Sequence, residues 1–199
     1  KVNSITHLTD ARYCAGMYVD LLGFALEKSA PRYLSPEHFQ EITGWISGAG
    51  MCGEFESSSA DEIITLLPQY PGLTAIQHYD LEVLTRLNGE EFDLIWIADI
   101  SQIAGNESDL GPILRENNIQ LLITSPLLEI FEEDVKVIRE FADYTPIILA
   151  FGLIPDQINE LLENLPIKGL ALDGGEEIKP GFRDFEQMAE LLELLEIED

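Results

Sequence analysis

A compact (β/α)8 barrel, a TIM barrel, is the fold this sequence predicts, on three observations. Eight short apolar runs recur along the 199 residues, and turn-forming residues and a segment with helical spacing follow nearly every one. Residues 145–177 hold one complete unit. Within it, residues 146–150 read as a strand covered on both faces, Pro155 opens a helix with Ile158, Leu161, Leu162 and Leu165 on one side, and residues 167–172 read as the next strand. Strand, helix, strand in about 30 residues is a right-handed βαβ unit, which makes its two strands parallel. Finally, a 46% hydrophobic chain without a composition break or low-complexity linker describes one domain over residues 1–199. A doubly wound open sheet uses the same alternation, and periodicity alone does not separate the two.

In order, residues 1–5 give the first strand, and Thr9-Asp10 start a helix that runs to about Met17. Residues 19–26, VDLLGFAL, are the second strand. After a loop over residues 27–34, Ser35-Pro36-Glu37 supplies a cap, a first-turn proline and a dipole-matched acid for a helix with Phe39, Ile42 and Ile46 on its core face. Residues 50–55 are the third strand, and Ser59 caps a helix carrying Ile63, Ile64 and Leu67, which Pro68 terminates. Residues 73–78 are the fourth strand, with a short helix over residues 80–87. Residues 93–98 are the fifth, after which Gly105, Gly111 and Pro112 interrupt any helix before Asn117. Residues 119–124 are the sixth, followed by a helix from about residue 132 to 144 that presents Val135, Ile138 and Ala142. The unit described first supplies strands seven and eight. Residues 183–196 close the chain as a helix with Phe185, Met188, Leu192 and Leu195 on one side.

Thirty-seven acidic against eleven basic residues give a formal charge of -26, which argues against nucleic acid and anionic membranes as partners. No apolar run approaches the roughly 18 residues of a membrane span, and no signal peptide is evident. Cys14 and Cys52 form neither a disulfide framework nor a metal-binding spacing, so they read as small buried hydrophobes in a reducing cytoplasm.

Parallel strands place the turns Phe151-Gly152-Leu153 and Asp173-Gly174-Gly175 at one end of neighbouring strands, where backbone N–H groups of such a barrel commonly hold a phosphate. Gly-Gly also reads simply as a turn. Arg32, a guanidinium on a loop of an acidic chain, suits either a carboxylate clamp or a surface ion pair. His78 reads as a hydrogen-bonded rim residue sooner than as a base. His7 and His38 read as loop and helix-surface residues, and residues 190–199 as a solvated acidic tail. The strand ends also gather Glu54, Glu56, Asp80, Asp99, Asp173, Glu176 and Glu177 at one rim. Either they point outward into water, or their repulsion is relieved by Arg32 or Lys28, a hard divalent cation, or a cationic or polyhydroxylated ligand.

KVNSIT at residues 1–6 with Asp10-Ala11, GFAL at 23–26, SAPRYLSPE at 29–37, LAFGL at 149–153 and GLALDGGEEIKPGFRD at 169–184 together resemble phosphoribosylanthranilate isomerase, a (β/α)8 enzyme of tryptophan biosynthesis. The match runs in register along the chain, and PRYLSP is its most specific piece. The resemblance implies isomerisation of the aminoaldose N-(5′-phosphoribosyl)anthranilate to a ketose without a cofactor. It implies a cysteine base at the end of the first strand and an aspartic acid at the end of the sixth. Asn3 stands at the first position, in KVNSIT for KxCGIT, and Thr124 at the second. An amide has no usable pKa for proton abstraction, and a threonine hydroxyl does not supply a proton near neutral pH.

The family's glycine-rich loop after the sixth strand is replaced by SPLLEIFEED. LAGGL becomes LAFGL, which puts Phe151 in the phosphate cup, and SSG becomes Asp173-Gly174-Gly175, which sets a carboxylate where a phosphate should lie. Arg32 carries over as the contact to the anthranilate carboxylate, with Gly152, Gly174 and Gly175 beside it. The expectation is a divergent isomerase barrel without the family's acid and base, monomeric or homodimeric, taking a small sugar phosphate or carboxylate and no metal. The alternative is a pseudoenzyme or interaction barrel. The first requires a pocket at the strands' C-terminal ends with Arg32 in it; the second expects Phe151 and its neighbours to fill that pocket.

Overall fold

The computed structural model describes residues 1–174, 177–179, 182–183 and 186–195. Seven strands follow the predicted runs: β1 (Val2–Asn3), β2 (Leu21–Ala25), β3 (Gly50–Phe55), β4 (Leu73–His78), β5 (Asp93–Asp99), β6 (Ile119–Thr124) and β7 (Ile147–Leu149). The eighth is interrupted at Ala171 into β8 (Gly169–Leu170) and β9 (Leu172–Asp173). That interruption sits at the seam of the barrel. β8 pairs with β7, while β9 pairs with β1, Val2 opposite Leu172 and Asn3 opposite Asp173, all parallel. The remaining strands pair with their sequence neighbours, so the ring closes and the open-sheet alternative falls away.

Alternate residues along each strand face the helices or the barrel axis. Outward residues such as Leu22, Phe24, Ile76, Trp96, Leu121 and Ile147 join one large core with the helices. Cys52, Ala75, Ile95, Ile97, Leu122, Ile148 and Ala171 form a separate apolar cluster within the ring. Small residues recur in that inner set, which leaves the axis short of bulk.

The helices are α1 (Leu8–Gly16), α2 (Pro36–Thr43), α3 (Ala60–Leu66), α4 (Leu81–Leu87), α5 (Ile100–Ile103), α6 (Glu107–Glu116), α7 (Glu132–Ala142), α8 (Ile158–Asn164) and α9 (Glu186–Leu194). Phe39 of α2 packs edge-on between Phe24 and Tyr70, with ring centroids 5.1 and 5.3 Å away. α3 begins with a reciprocal cap: Ser59 Oγ accepts from the Glu62 N–H at 3.4 Å, and the Glu62 carboxylate accepts from the Ser59 N–H at 2.8 Å. Ser59→Ala is expected to lower stability by about 1 kcal/mol; an unchanged urea midpoint would remove this cap from the account.

Four local readings need correction. A helix does pass through Gly111 and Pro112, because packing overrides propensity there. A Cβ on Gly111 would lie 2.4 Å from the Tyr144 ring, over which Arg115 also stacks at 4.7 Å, so the glycine lets α6 close on the end of α7. In α7 the buried residues are Val137, Ile138 and Phe141, with Val135 and Ala142 at the edge of the core. In α3 Ile63 is buried and Ile64 exposed, while Leu67 belongs to a 3-10 turn, Leu67–Gln69, that contains Pro68. Arg183 is not helical. It pairs in a small antiparallel hairpin of β10 (Glu177–Lys179) and β11 (Phe182–Arg183), so α9 starts later, and Phe185 lies outside the described residues. Among the described residues no helix is long and apolar enough to cross a membrane.

Candidate functional site at the barrel mouth

A cavity of about 750 Å³ opens at the C-terminal ends of the strands, with Asn3, Arg32, Glu54, Thr124, Phe151 and Asp173 in its wall. Phe151 is buried there without filling the space. Register brings polar inward residues level with one another: Asn3 beside Asp173, Glu54 beside Gln77.

Under the cavity lies a buried ion pair. Lys1 Nζ donates to Glu54 Oε1 at 2.8 Å, with side chains 2% and 10% exposed, and also to Asn3 Oδ1. Burial opposes the charged lysine, but the charge and hydrogen bond of Glu54 outweigh it and raise the Lys1 pKa above its ordinary value. Gly23 makes the room: a Cβ there would lie 1.8 Å from Glu54 Oε1 and 2.9 Å from Lys1 Nζ. Glu54 Oε2 accepts from the Ser4 N–H at 3.1 Å and from Ser4 Oγ at 3.0 Å. Those bonds hold Ser4 at a φ of 53°, a left-handed conformation that a side chain disfavours. Asn3 Nδ2 extends the network to Asp173 Oδ1 at 3.3 Å.

Asn3 is therefore bridged between Lys1 and Asp173, and Thr124 Oγ1 donates to the Ala98 carbonyl at 3.3 Å. Arg32 lines the cavity while its Nη1 donates to the Gly174 carbonyl at 3.1 Å, tying the loop after β2 to the end of β9. Gly152, at a φ of 68°, is overlaid by Ile130: an added Cβ would lie 2.4 Å from that side chain. The Gly174 N–H is engaged by the Asn3 carbonyl at 3.0 Å. Gly175 and Glu176 lie outside the described residues. The structure thus brings Asn3, Arg32, Thr124, Gly152 and Asp173 around one cavity, with Gly174 behind Arg32.

Two of the other rim carboxylates, Asp80 and Asp99, have local partners. Asp80 Oδ1 accepts from the Glu82 N–H and Asp99 Oδ1 from the Ser101 N–H, both at 2.8 Å, so each caps a helix. Among the described residues no group of three or more His, Cys, Asp or Glu side chains is arranged to share a metal ion. His78 is buried, with Nδ1 accepting from the Asp80 N–H at 2.8 Å, which leaves the proton on Nε2 to donate to the Ser58 carbonyl at 3.0 Å. Burial lowers its pKa, and the ring joins two loops as a neutral tie. Burial also pushes the thiols of Cys14 and Cys52 up, to about 11 and about 12.

Glu27 organises the loop after β3. Its carboxylate accepts from the N–H groups of Glu56, Ser57 and Ser58 at 2.8, 2.9 and 3.3 Å, and from the hydroxyls of Ser57 and Ser29. Burial alone would raise this pKa, but the hydrogen bonds outweigh it and hold the carboxyl at about 2. Because the folded value lies below the ordinary 4.5, the stability it contributes is present above about 4.5 and is lost as pH falls toward 2. Glu27→Gln is expected to lower stability at neutral pH and to flatten the acid limb in urea unfolding from about pH 5 downward. An acid limb identical to the parent's would refute this role.

Lys1, Glu54 and Gln77 are site residues that the sequence reading did not assemble. Gln77 borders the cavity at 5% exposure, and among the described residues its Oε1, itself sealed from solvent, has no hydrogen-bond partner. The available signal was parity: Glu54 and Gln77 stand two residues beyond Cys52 and Ala75 and so share their inward face.

No family model matches the chain. An N-(5′-phosphoribosyl)anthranilate isomerase from Gloeothece citriformis (strain PCC 7424) is 27% identical over 207 residues, covering 98% of this chain and 92% of the relative. The phosphoribosyl anthranilate isomerase of Thermotoga maritima shares the fold, with a TM-score of 0.75 at 20% identity over 98% of this chain and 97% of that one. A phosphoribosyl anthranilate isomerase in complex with reduced 1-(o-carboxyphenylamino)-1-deoxyribulose 5-phosphate gives a TM-score of 0.72 at 20% identity over 98% of this chain and 95% of that one. Over nearly its whole length, this chain is a divergent relative of the phosphoribosylanthranilate isomerase family.

Proposed function

We propose that this chain is a small-molecule-binding barrel of the phosphoribosylanthranilate isomerase kind that does not itself isomerise phosphoribosylanthranilate. The observation that carries this reading is the chemistry at the two positions to which the resemblance assigns proton transfer. Moving a proton from carbon needs a group that accepts it and another that returns one, each with a pKa near the working pH. Asn3 is an amide already engaged by Lys1 and Asp173, and Thr124 is a hydroxyl directed at the Ala98 carbonyl.

The anion site supports the same reading. The ligand of the related complex carries a 5-phosphate. Here Ile130 covers Gly152, the Gly174 N–H is engaged, and Asp173 stands in the wall. A carboxylate about 4 Å from a dianion repels it by about 1 kcal/mol per charge even in bulk water, and by more in a cleft. The cavity beside Phe151 favours ligand binding over a filled interaction barrel. Expression of the chain in a tryptophan auxotroph lacking this isomerase tests the reading: no growth is expected, and growth would overturn it.

A further inference from the structure

We infer that His78 is an acid-released catch on the barrel mouth: its neutral ring holds the turn at residues 79–80 in place, and a proton on Nδ1 frees that turn. The ring lies at the C-terminal end of β4, is 1% exposed, and has both nitrogens engaged. Nδ1 accepts from the Asp80 N–H at 2.8 Å, and Nε2 donates to the Ser58 carbonyl at 3.0 Å. A backbone N–H only donates and a carbonyl only accepts, so these two partners admit one neutral tautomer and no imidazolium. A second ring proton would face the Asp80 N–H donor to donor, and that bond must open.

The turn carries part of the site. Tyr79 stands in the cavity wall with Glu27 and Glu56, its carbonyl accepts from Trp96 Nε1 at 2.9 Å, and Asp80 caps α4. On the other side of the ring, Ser58 belongs to the loop gathered by Glu27, so the imidazole ties the loops after β3 and β4 together.

Asp80 and Glu27 are the carboxylates that face the ring, while its strand neighbours, Phe55 of β3 and Trp96 of β5, are uncharged. Farther along the flanking elements stand Glu54 and Glu56 around Phe55, Asp99 at the end of β5, Glu62 of α3 held by Ser59, and Glu82 of α4 paired with Arg86. The nearby negative charges favour a proton, but Glu27 is taken up by the amides and hydroxyls of its loop and Asp80 Oδ1 by the Glu82 N–H. Burial outweighs them and lowers the pKa below the ordinary 6.5. With the turn released and the ring in water, that value returns to about 6.5. The catch is therefore fully engaged above about pH 6.5, and the released population rises by up to about tenfold per pH unit as pH falls from there toward the lower value of the closed form.

Trp96 reports on the turn through its bond to the Tyr79 carbonyl, and Trp45→Phe removes the chain's other tryptophan. In that background, emission is followed from about pH 8 to about pH 5, with far-UV circular dichroism recording the fold. Emission is expected to shift to the red with a midpoint below 6.5 while the circular dichroism holds. His78→Asn, whose amide offers an acceptor in place of Nδ1 and does not titrate, is expected to stay flat. An equal shift in His78→Asn belongs to other titrating groups, among them His7, His38 and the carboxylates, and overturns the inference. So does parent emission that is flat until the whole fold is lost. Should the variant not fold, NMR of the parent decides: the His78 ring and the Trp96 indole N–H resonances must move together. A ring that takes its proton while the indole signal stays put, or that stays neutral until global unfolding, overturns the catch.

Discussion

Glu54→Gln is expected to lower the free energy of unfolding by about 3–5 kcal/mol, because it leaves the Lys1 ammonium buried without its counter-charge. The same change costs Ser4 an acceptor, so the backbone at its φ of 53° loses the bonds that hold it. The Lys1 pKa lies above its ordinary value of 10.5, so the pair's contribution is fully present at neutral pH and fades only as pH rises through the folded value. Gly23→Ala approaches the same pair from the other side. Its new Cβ would occupy the position of Glu54 Oε1, displacing the carboxylate from Lys1 without removing either charge, and a loss of comparable size follows. Replacing both charges, by Lys1→Met with Glu54→Leu, is expected to be near neutral or stabilising, since two apolar side chains carry no desolvation cost. Urea unfolding at neutral pH decides. If Glu54→Gln lies within about 1 kcal/mol of the parent, the pair is not the buried structural charge described here.

The barrel itself was legible because its strands announce themselves locally. Runs such as VDLLGFAL and DLIWIA are apolar on both faces, and Ser59 and Pro36 mark helix starts by chemistry that acts within one turn. What sequence reading missed depends on contacts between residues far apart in the chain. Gly111 looked like a helix breaker because its reason for being glycine is Tyr144. The Lys1–Glu54 pair needs β1 and β3 to flank a strand with no side chain at Gly23, a fact visible only in register. The resemblance alone, through the motifs around them, assigns Asn3 and Thr124 to the proton-transfer positions. It gives neither their hydrogen-bond partners nor the Ile130 side chain over Gly152.

Restoring a thiol and a carboxyl with Asn3→Cys and Thr124→Asp is expected to leave the chain unable to support tryptophan synthesis until the anion site is also opened. Each proton-transfer group is worth roughly 10²–10⁴-fold, so the parent chain should stand about 10⁴–10⁸-fold below an enzyme that has both. The first restoration is chemically favoured here: a thiol at position 3 would replace the amide now contacting Lys1 Nζ, and a neighbouring ammonium stabilises the thiolate. Positioning is the remaining obstacle, since proton transfer needs the sugar held within hydrogen-bond reach of both groups. Ile130 beside Gly152 and the Asp173 carboxylate in the wall are expected to oppose the phosphate that would hold it. Adding Ile130→Gly and Asp173→Ser to the pair removes the cover and the repelling charge, and that fourfold variant is the one expected to show measurable turnover and to rescue an auxotroph. Rescue by Asn3→Cys with Thr124→Asp alone would show that Ile130 and Asp173 do not block the anion. Rescue by the unaltered chain would mean that Asn3 and Thr124 are not the whole of its acid–base chemistry, and Asp173, the carboxylate hydrogen-bonded to Asn3, would then be the first group to replace.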